Sequence, residues 1–179
     1  MQIFTVNNKK EERFLRRKTP EFSAKGGPAS GRDFKSVKGE IREVIKKMRA
    51  IIKKENGVGL SANQIGLDWR LFIAEIPSEK GKPKFYAIFN PDIIKASKNK
   101  IILEEGCLSV PGIWGLVERS EQIVLIGFDK NGKKIKIKAW GLLARVFQHE
   151  VDHLNGILFV DRCKNAYAIE KSKILNPKL

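Results

Sequence analysis

The sequence contains little cysteine and no long apolar segment. Two cysteines in 179 residues are too few for the disulfide framework of a small secreted domain. No apolar run approaches the roughly 18 residues of a membrane-spanning helix, and the N-terminus lacks the apolar segment and cleavage site of a secretion signal. The sequence therefore predicts a reduced, soluble, cytoplasmic protein, although the basic, acid-poor N-terminus leaves an organellar address open.

Acidic residues are also few relative to basic ones, and the net charge is +15. Residues 1 to 54 hold 16 Lys and Arg against six Asp and Glu, a net charge of +10. Such an excess usually forms a solubilising surface, and it also suits electrostatic attraction to an RNA-rich partner. No aromatic interleaving or zinc-finger spacing accompanies it, which argues against sequence-specific nucleic-acid binding.

The length and the 42% of hydrophobic residues fit one domain, residues 1–179, with a sizeable core. No internal repeat divides the chain. Residues 19–39 collect Pro, Gly and Ser, a composition that predicts a mobile loop.

Apolar spacing predicts two helices and several strands. Residues 41–52 carry apolar side chains at helical spacing, which predicts an amphipathic helix ending near residue 55. The runs "WRLFIAEI" and "KFYAIFNP" are typical of strands, and "EQIVLIGFD" and "KKIKIKAW" flank "KNG" as the arms of a hairpin. A second helix is predicted at about residues 141–154. Strands and helices segregate along the chain, so the predicted class is α+β with antiparallel pairing.

The chain's only two histidines, His149 and His153, lie four residues apart in "QHEVDHLNG" on the second helix. Positions i and i+4 share one helical face, so the two imidazoles can bind one metal ion. Glu150 lies a quarter-turn round, where it can reach a water on the metal without being a ligand. This H-E-x-x-H arrangement is typical of metal-assisted hydrolysis.

The third ligand stays open at this level. Candidates are the thiols of Cys107 and Cys163 and the carboxylates of Glu104, Glu105 and Asp161. A buried cysteine is more often a small hydrophobic residue than a ligand, so spacing alone does not choose among them.

Two further features have a possible role at a metal site. Leu142, Arg145 and Val146 share or border the face of His149, and the two apolar residues could line a substrate pocket, although spacing alone favours core packing. The stretch "NGVGLSANQIG" combines glycines with Gln64. An amide N–H of that kind can serve an oxyanion hole, while the alternative is an ordinary C-cap and turn.

Taken in order, "GVGLSANQ", "EGCLS" and "QHEVDHLNG" resemble the three motifs of the peptide deformylase family, and they span residues 57–156. The resemblance implies an α+β fold with antiparallel strands packed around a central H-E-x-x-H helix. It implies a metal-dependent hydrolase that removes the N-formyl group from the initiator methionine of nascent polypeptides and releases formate. The implied cofactor is one Fe²⁺ per chain, for which Zn²⁺, Ni²⁺ or Co²⁺ can substitute.

The resemblance also implies residue roles. Cys107, His149 and His153 would bind the metal, Glu150 would be the acid/base, and Gln64 and the Leu108 N–H would be oxyanion donors. The residues expected to contact substrate are Val58, Gly59, Leu142 and Val146. Two positions depart from the family pattern: Ser61 stands where alanine is usual and brings a hydroxyl near the site, and Arg145 stands where many members are apolar.

Two rival interpretations come from other classes. A zincin-type metallopeptidase would share the helix motif but take a downstream carboxylate or histidine as its third ligand. A basic RNA-binding module with a structural zinc would need a closed site of four protein ligands, so both Cys107 and Cys163 would have to bind.

Overall fold

Two antiparallel sheets and three helices make up residues 2–22, 34, 37–77 and 81–168, the part of the chain that the structure, a computed structural model, describes. The helices are α1 (Lys9–Leu15), α2 (Lys38–Lys54) and α3 (Gly141–Leu154). Short 3₁₀ turns cover Ala62–Ile65 and Phe159–Asp161. The strands are β1 (Gly59–Ser61), β2 (Leu71–Ile76), β3 (Lys84–Ala96), β4 (Lys100–Cys107), β5 (Val110–Ser120), β6 (Gln122–Phe128), β7 (Lys134–Trp140) and β8 (Cys163–Ala168).

The larger sheet has the order β1-β2-β3-β6-β7 and the smaller one the order β4-β5-β8. All of the strand pairs are antiparallel, which confirms the predicted α+β class. The β6–β7 hairpin is also confirmed, with Phe128 opposite Lys134. Its turn is closed by Asp129, whose carboxylate accepts from the Asn131 and Lys133 N–H groups at 2.8 and 2.9 Å.

Strand β2 lies between two helices. Leu71 and Ile73 pack in the cluster that includes the buried face of α2, whereas Phe72 and Ala74 pack in the cluster that includes α3. A strand buried on both faces has no need of polar alternation, and this explains the continuous apolar run "LFIA" at residues 71–74. Through Phe72 and Ala74, β2 also provides the surface against which α3 packs.

The two predicted helices lie where the apolar spacing put them. Helix α2 buries Ile41, Val44, Ile45, Met48 and Ile52, and the chain turns after it at Asn56, whose φ is 52°. Helix α1 was not predicted from the sequence. Its seven residues include one buried side chain, Leu15, which is too little for a periodic signal.

The C-terminal end of α3 is held by side chains from other elements. Asn63 Nδ2 donates to the His153 carbonyl at 2.7 Å, and Arg70 Nη1 and Thr19 Oγ1 donate to the Leu154 carbonyl at 3.0 and 2.9 Å. Helix ends leave carbonyls without intrahelical partners, and these donors satisfy two of them. The helix that carries both histidines is therefore anchored at its end.

The prediction of a mobile loop over residues 19–39 is wrong at both ends of that segment, where side chains are buried in the fold. Thr19, Phe22, Phe34 and Val37 are buried, and Phe22 N–H donates to Asn90 Oδ1 at 2.7 Å. Residues 23–33, 35 and 36 of that loop lie outside the described residues. Among the helices of the described ranges, none is long and apolar enough to cross a membrane.

Gly156 is the position where the fold depends most clearly on a glycine. Its φ is 75°, and a Cβ there would overlap the Arg16 carbonyl oxygen and lie 2.7 Å from the Arg16 carbonyl carbon. We expect Gly156→Ala to cost more than about 2 kcal/mol in the free energy of unfolding, since it combines a left-handed φ with a clash against backbone. Urea denaturation monitored by circular dichroism would measure it.

Gly39→Ala is the matched control. Gly39 lies in the first turn of α2, and a Cβ there would meet nothing within 4 Å. The alanine should be neutral or stabilising by up to about 1 kcal/mol. Equal unfolding midpoints for the two variants would contradict the packing of the α1 end against the turn after α3.

Candidate metal centre and active site

The side chains of Cys107, His149 and His153 converge between β4 and α3. Cys107 Sγ lies 3.1 Å from His153 Nε2, and the two Nε2 atoms lie 3.2 Å apart. All three ligand atoms lie within 4.8 Å of one another. Among the described residues, these three form the group of potential ligand side chains that could hold one metal ion. The geometry thus selects Cys107 from the candidates that spacing left open.

Local structure explains this convergence. The histidines face the same way because they are four residues apart on α3. Cys107 ends β4 at a register shift in the β4–β5 pairing, where Gly106 is opposite Trp114 but Cys107 is opposite Val110. A Cβ at Gly106 would lie 2.7 Å from the Trp114 ring, so the glycine lets the strand end close against that indole.

The other candidate ligands are engaged elsewhere. Glu104 accepts a hydrogen bond from the Tyr167 hydroxyl, and Asp161 pairs with Arg16 at 2.5 Å. Cys163 opens β8 opposite Val117, and it is not a member of the converging group. A closed site of four protein ligands that uses Cys163 therefore has no support in the described residues.

Glu105 contacts His149 at Nδ1, the ring nitrogen that does not face the other two ligand atoms. Its Oε2 lies 2.9 Å from His149 Nδ1, and its two oxygens accept from Arg119 Nε and Nη2 at 2.8 and 2.9 Å. Burial alone would raise the pKa of Glu105, but the hydrogen bonds from Arg119 and His149 hold that pKa well below its usual range. A carboxylate on Nδ1 fixes the ring orientation and leaves Nε2 as the ligand atom.

The ionic network continues to α3 and to Arg162, which follows the 3₁₀ turn Phe159–Asp161. Arg119 also pairs with Asp152, which Arg162 binds through two hydrogen bonds of 2.5 and 2.6 Å. Arg145 donates to Glu105 Oε1 at 2.7 Å and to the Ile101 carbonyl at 2.6 Å. Arg145, which stands where many members of the family are apolar, thus connects α3 to β4.

The sequence does not reveal this network. Arg119 lies 14 residues from Glu105 and 33 residues from Asp152, and no local pattern connects such positions. The available signal was the charged pair Glu118 and Arg119, directly after the apolar stretch "IWGLV".

The charges around the ligand atoms favour a cation. Burial alone would raise the pKa of Cys107, but the charge of His153 and hydrogen bonds from both imidazoles hold it well below its ordinary value. Burial alone would lower the pKa of His149, but hydrogen bonds to Cys107 and Glu105 raise it to about 10. One thiolate and two imidazoles suit a transition metal better than Mg²⁺ or Ca²⁺, and three protein ligands are typical of a site with an open coordination position.

Glu150 lies beside the centre but outside the ligand group. Its side chain is buried, and its Oε2 accepts a hydrogen bond from Ser61 Oγ at 2.6 Å. Burial raises the pKa of Glu150 above its ordinary value, although the charges of His149 and His153 and the Ser61 hydrogen bond act in the opposite direction. A buried carboxyl of raised pKa next to a metal centre is suited to accepting and returning a proton.

Gln64 lies in the 3₁₀ turn after β1 and contacts Cys107. Its Oε1 accepts from the Ser61 N–H at 2.9 Å, and its Nε2 lies 3.1 Å from Ser109 Oγ and 3.5 Å from Cys107 Sγ. The amide nitrogen thus donates both to Ser109 Oγ and toward the thiol. Leu108 follows Cys107 in the turn between β4 and β5.

The four residues expected to contact substrate differ in how far they are buried. Val146 is buried in the core cluster that also holds Phe147, so the core-packing alternative describes it well. Leu142, in the first turn of α3, is 49% exposed, and Val58 packs at the edge of the same cluster. Gly59 has Glu150 so close that a Cβ would overlap Oε1.

A thiolate and two imidazoles beside a buried, non-ligating carboxyl on an H-E-x-x-H helix define a mononuclear metal-dependent hydrolase. The family model of polypeptide deformylase matches residues 25–168. The chain belongs to the peptide deformylase family, whose reaction is the metal-dependent hydrolytic removal of the N-formyl group from nascent polypeptides.

Individual relatives agree with this. The chain is 42% identical to a peptide deformylase of Hydrogenovibrio crunogenus over 137 residues, which are 75% of this chain and 79% of that protein. It is 41% identical to one of Symbiobacterium thermophilum over 72% of this chain and 58% of that protein. The structure of a probable peptide deformylase from Synechococcus phage S-SSM7 is similar with a TM-score of 0.77 and 36% identity, over 90% of this chain and 99% of that one.

Adjacent glutamates on β4 allow a test of the network behind His149. Glu105→Gln removes the charge between His149, Arg119 and Arg145, so we expect metal affinity to fall by about 10- to 100-fold. Glu104→Gln should leave the affinity unchanged, because Glu104 contacts Tyr167 instead. Competition with a chromogenic chelator measures both affinities. Equal affinities for the two variants would remove the role assigned to Glu105.

Proposed function

We propose that this chain deformylates the N-terminal formyl-methionine of nascent polypeptides with Fe²⁺ held by Cys107, His149 and His153. Residues 1–179 would act as one catalytic domain, and Zn²⁺, Ni²⁺ or Co²⁺ could substitute for iron. The observation that carries the proposal is the convergence of three ligand atoms next to the buried Glu150.

Each residue has a distinct part in the proposed reaction. The divalent ion, when bound, supplies Lewis acidity toward water and the formyl carbonyl. Glu150 removes a proton from the attacking water as its oxygen bonds to the formyl carbon. As the carbon–nitrogen bond breaks, Glu150 returns the proton to the leaving amine, and formate and the free N-terminus result.

The charge that develops on the formyl oxygen needs donors in a fixed position. Gln64 Nε2 is held beside Cys107, and the Leu108 N–H follows that residue directly, so both are suited to the oxyanion. One such donor is worth on the order of 10²–10³ in rate. Val58 and Leu142 would accept the methionine side chain, and backbone groups of Gly59 would contact the peptide.

Formate release is the direct test of the proposal. Protein prepared without oxygen and loaded with Fe²⁺ should release formate from a formyl-methionyl peptide and should leave an acetyl-methionyl peptide intact. Cleavage of internal peptide bonds without formate release would instead support the metallopeptidase alternative.

Glu150→Gln separates acid–base catalysis from metal binding. Because Glu150 lies outside the ligand group, the variant should keep its metal while losing about 10²–10⁴ in kcat. Formate release and metal content measured on one preparation would check this. Loss of the metal together with activity would make Glu150 a ligand.

The two cysteines provide a second test. Cys107→Ser replaces a thiolate by a hydroxyl that is a far weaker ligand at neutral pH, so this variant should lose both metal and formate release. Cys163→Ser is the matched control and should keep both. Equal losses would favour a closed site built from both thiols.

We also propose that this enzyme works in the cytoplasm near ribosomes, to which the basic residues of segment 1–54 are attracted. Not all of that charge is available for a partner, since Arg16 pairs with Asp161 at 2.5 Å and Arg17 with Asp68 at 3.2 Å. The exposed lysines of α1 and α2, such as Lys9, Lys10, Lys46 and Lys47, are better suited to contact RNA phosphates. The partner contact would be electrostatic and not sequence-specific.

Charge reversal tests this attraction. Changing Lys9, Lys10, Lys46 and Lys47 to Glu should reduce ribosome co-sedimentation at low salt, and added salt should weaken binding of the unmodified chain steeply. Hydrolysis of a free formyl-peptide should be unaffected. The control makes the same charge change on β7 and its turn, at Lys133, Lys134, Lys136 and Lys138. Equal reductions in both would indicate a response to net charge alone, and unchanged co-sedimentation in the first variant would reject the idea.

A further inference from the structure

Strand β1 presents two residues to the carboxyl group of Glu150. Residues two apart on a strand face the same side, so Gly59 and Ser61 both face α3. A Cβ at Gly59 would overlap Glu150 Oε1 and lie 2.9 Å from Val146 Cγ1. Ser61 Oγ lies 2.6 Å from Glu150 Oε2. One face of the strand therefore makes room for one carboxylate oxygen and contacts the other.

The Ser61 hydroxyl has one proton and two acceptors within reach. Glu150 Oε2 lies at 2.6 Å and the Glu150 main-chain carbonyl at 3.0 Å. An O–H bond to a carboxylate is shorter and stronger than one to a neutral carbonyl, and about 2.5–2.7 Å is its usual length. The carboxylate is thus the better acceptor, and with Ser61 fully buried bulk water does not compete for the bond.

The two oxygens of Glu150 consequently differ. Among the hydrogen bonds of the described residues, the one that reaches this carboxylate ends on Oε2. Oε1 lies over Gly59, where β1 contributes no side chain. We propose that Ser61 is a positioning residue that anchors Glu150 through Oε2 and leaves Oε1 as the oxygen that moves the proton.

This inference rests on the proposed acid–base role of Glu150. The proton passes from the attacking water to Oε1 and from Oε1 to the leaving amine, while Ser61 keeps its own proton throughout. Ser61 does not touch the reacting atoms. Its effect is on the orientation of the carboxylate and therefore on kcat, not on substrate binding.

Threonine and valine at position 61 form a matched pair of equal shape that differ in the hydroxyl. Because a hydrogen bond to a charged group is worth roughly a factor of ten or more, we expect Ser61→Val to lose about tenfold or more in kcat with KM unchanged. Ser61→Thr should recover most of that loss. Metal content should be equal in both. Crystal structures should show the Glu150 carboxylate displaced in the valine variant and in place in the threonine variant.

Equal kcat values for the valine and threonine variants, or an unmoved carboxylate in the valine variant, would overturn the assignment. If neither branched residue is accommodated, Ser61→Ala serves instead: reduced kcat at unchanged KM supports the role, and a lowered unfolding midpoint with wild-type kcat rejects it. A wild-type enzyme that released no formate would defeat the proposed function, whereas the crystal structures would still report whether Ser61 holds Glu150.

Discussion

The buried carboxylate of Glu105 is the constraint on which the metal centre depends. A charge removed from water is costly unless it is paired and hydrogen-bonded, and Glu105 is satisfied by Arg119, Arg145 and His149. These partners lie on β5 and on α3, so one carboxylate joins the small sheet to the central helix. Cys107 lies two residues further along the same strand, and the contact that orients His149 therefore also sets its distance from the thiol.

Helix α3 makes buried polar contacts on several of its faces. His149 faces Glu105, His153 faces Cys107, Asp152 faces Arg119, and Glu150 faces Ser61 on β1. Such a helix cannot rotate or slide without breaking buried polar contacts on different sides at once. The contacts of Asn63 and Arg70 at its end act in the same direction, and both come from the segment that links β1 to β2.

The pKa values of Glu105 and Glu150 are shifted in opposite directions because the surroundings of the two carboxyls differ. Glu105 has arginine partners that keep its pKa low, so it stays ionised and orients His149. Glu150 is buried without an arginine partner among the described residues, and burial raises its pKa. Carboxyls separated in this way by environment are suited to different tasks, one to hold a ring in place and the other to exchange a proton.

The sequence by itself determined the elements with strong periodicity and the three motifs. Helices α2 and α3 and the β6–β7 hairpin follow from apolar spacing and a turn, and two histidines four apart on a helix must share a face. Spacing left the third ligand open among five residues, because it does not show where strand β4 ends relative to α3, and only the resemblance of the motifs implied Cys107. Helix α1 was missed because one buried leucine makes no pattern.

Only the tertiary structure decided which polar residues meet. Ser61 and Glu150 are 89 residues apart, and Arg119 and Asp152 are 33 apart. Apolar periodicity shows which side of a helix or strand is buried, because the preference for burial belongs to each residue by itself. It does not report the partner, since a buried hydrogen bond is a property of two residues that only the packing of sheets against α3 brings together.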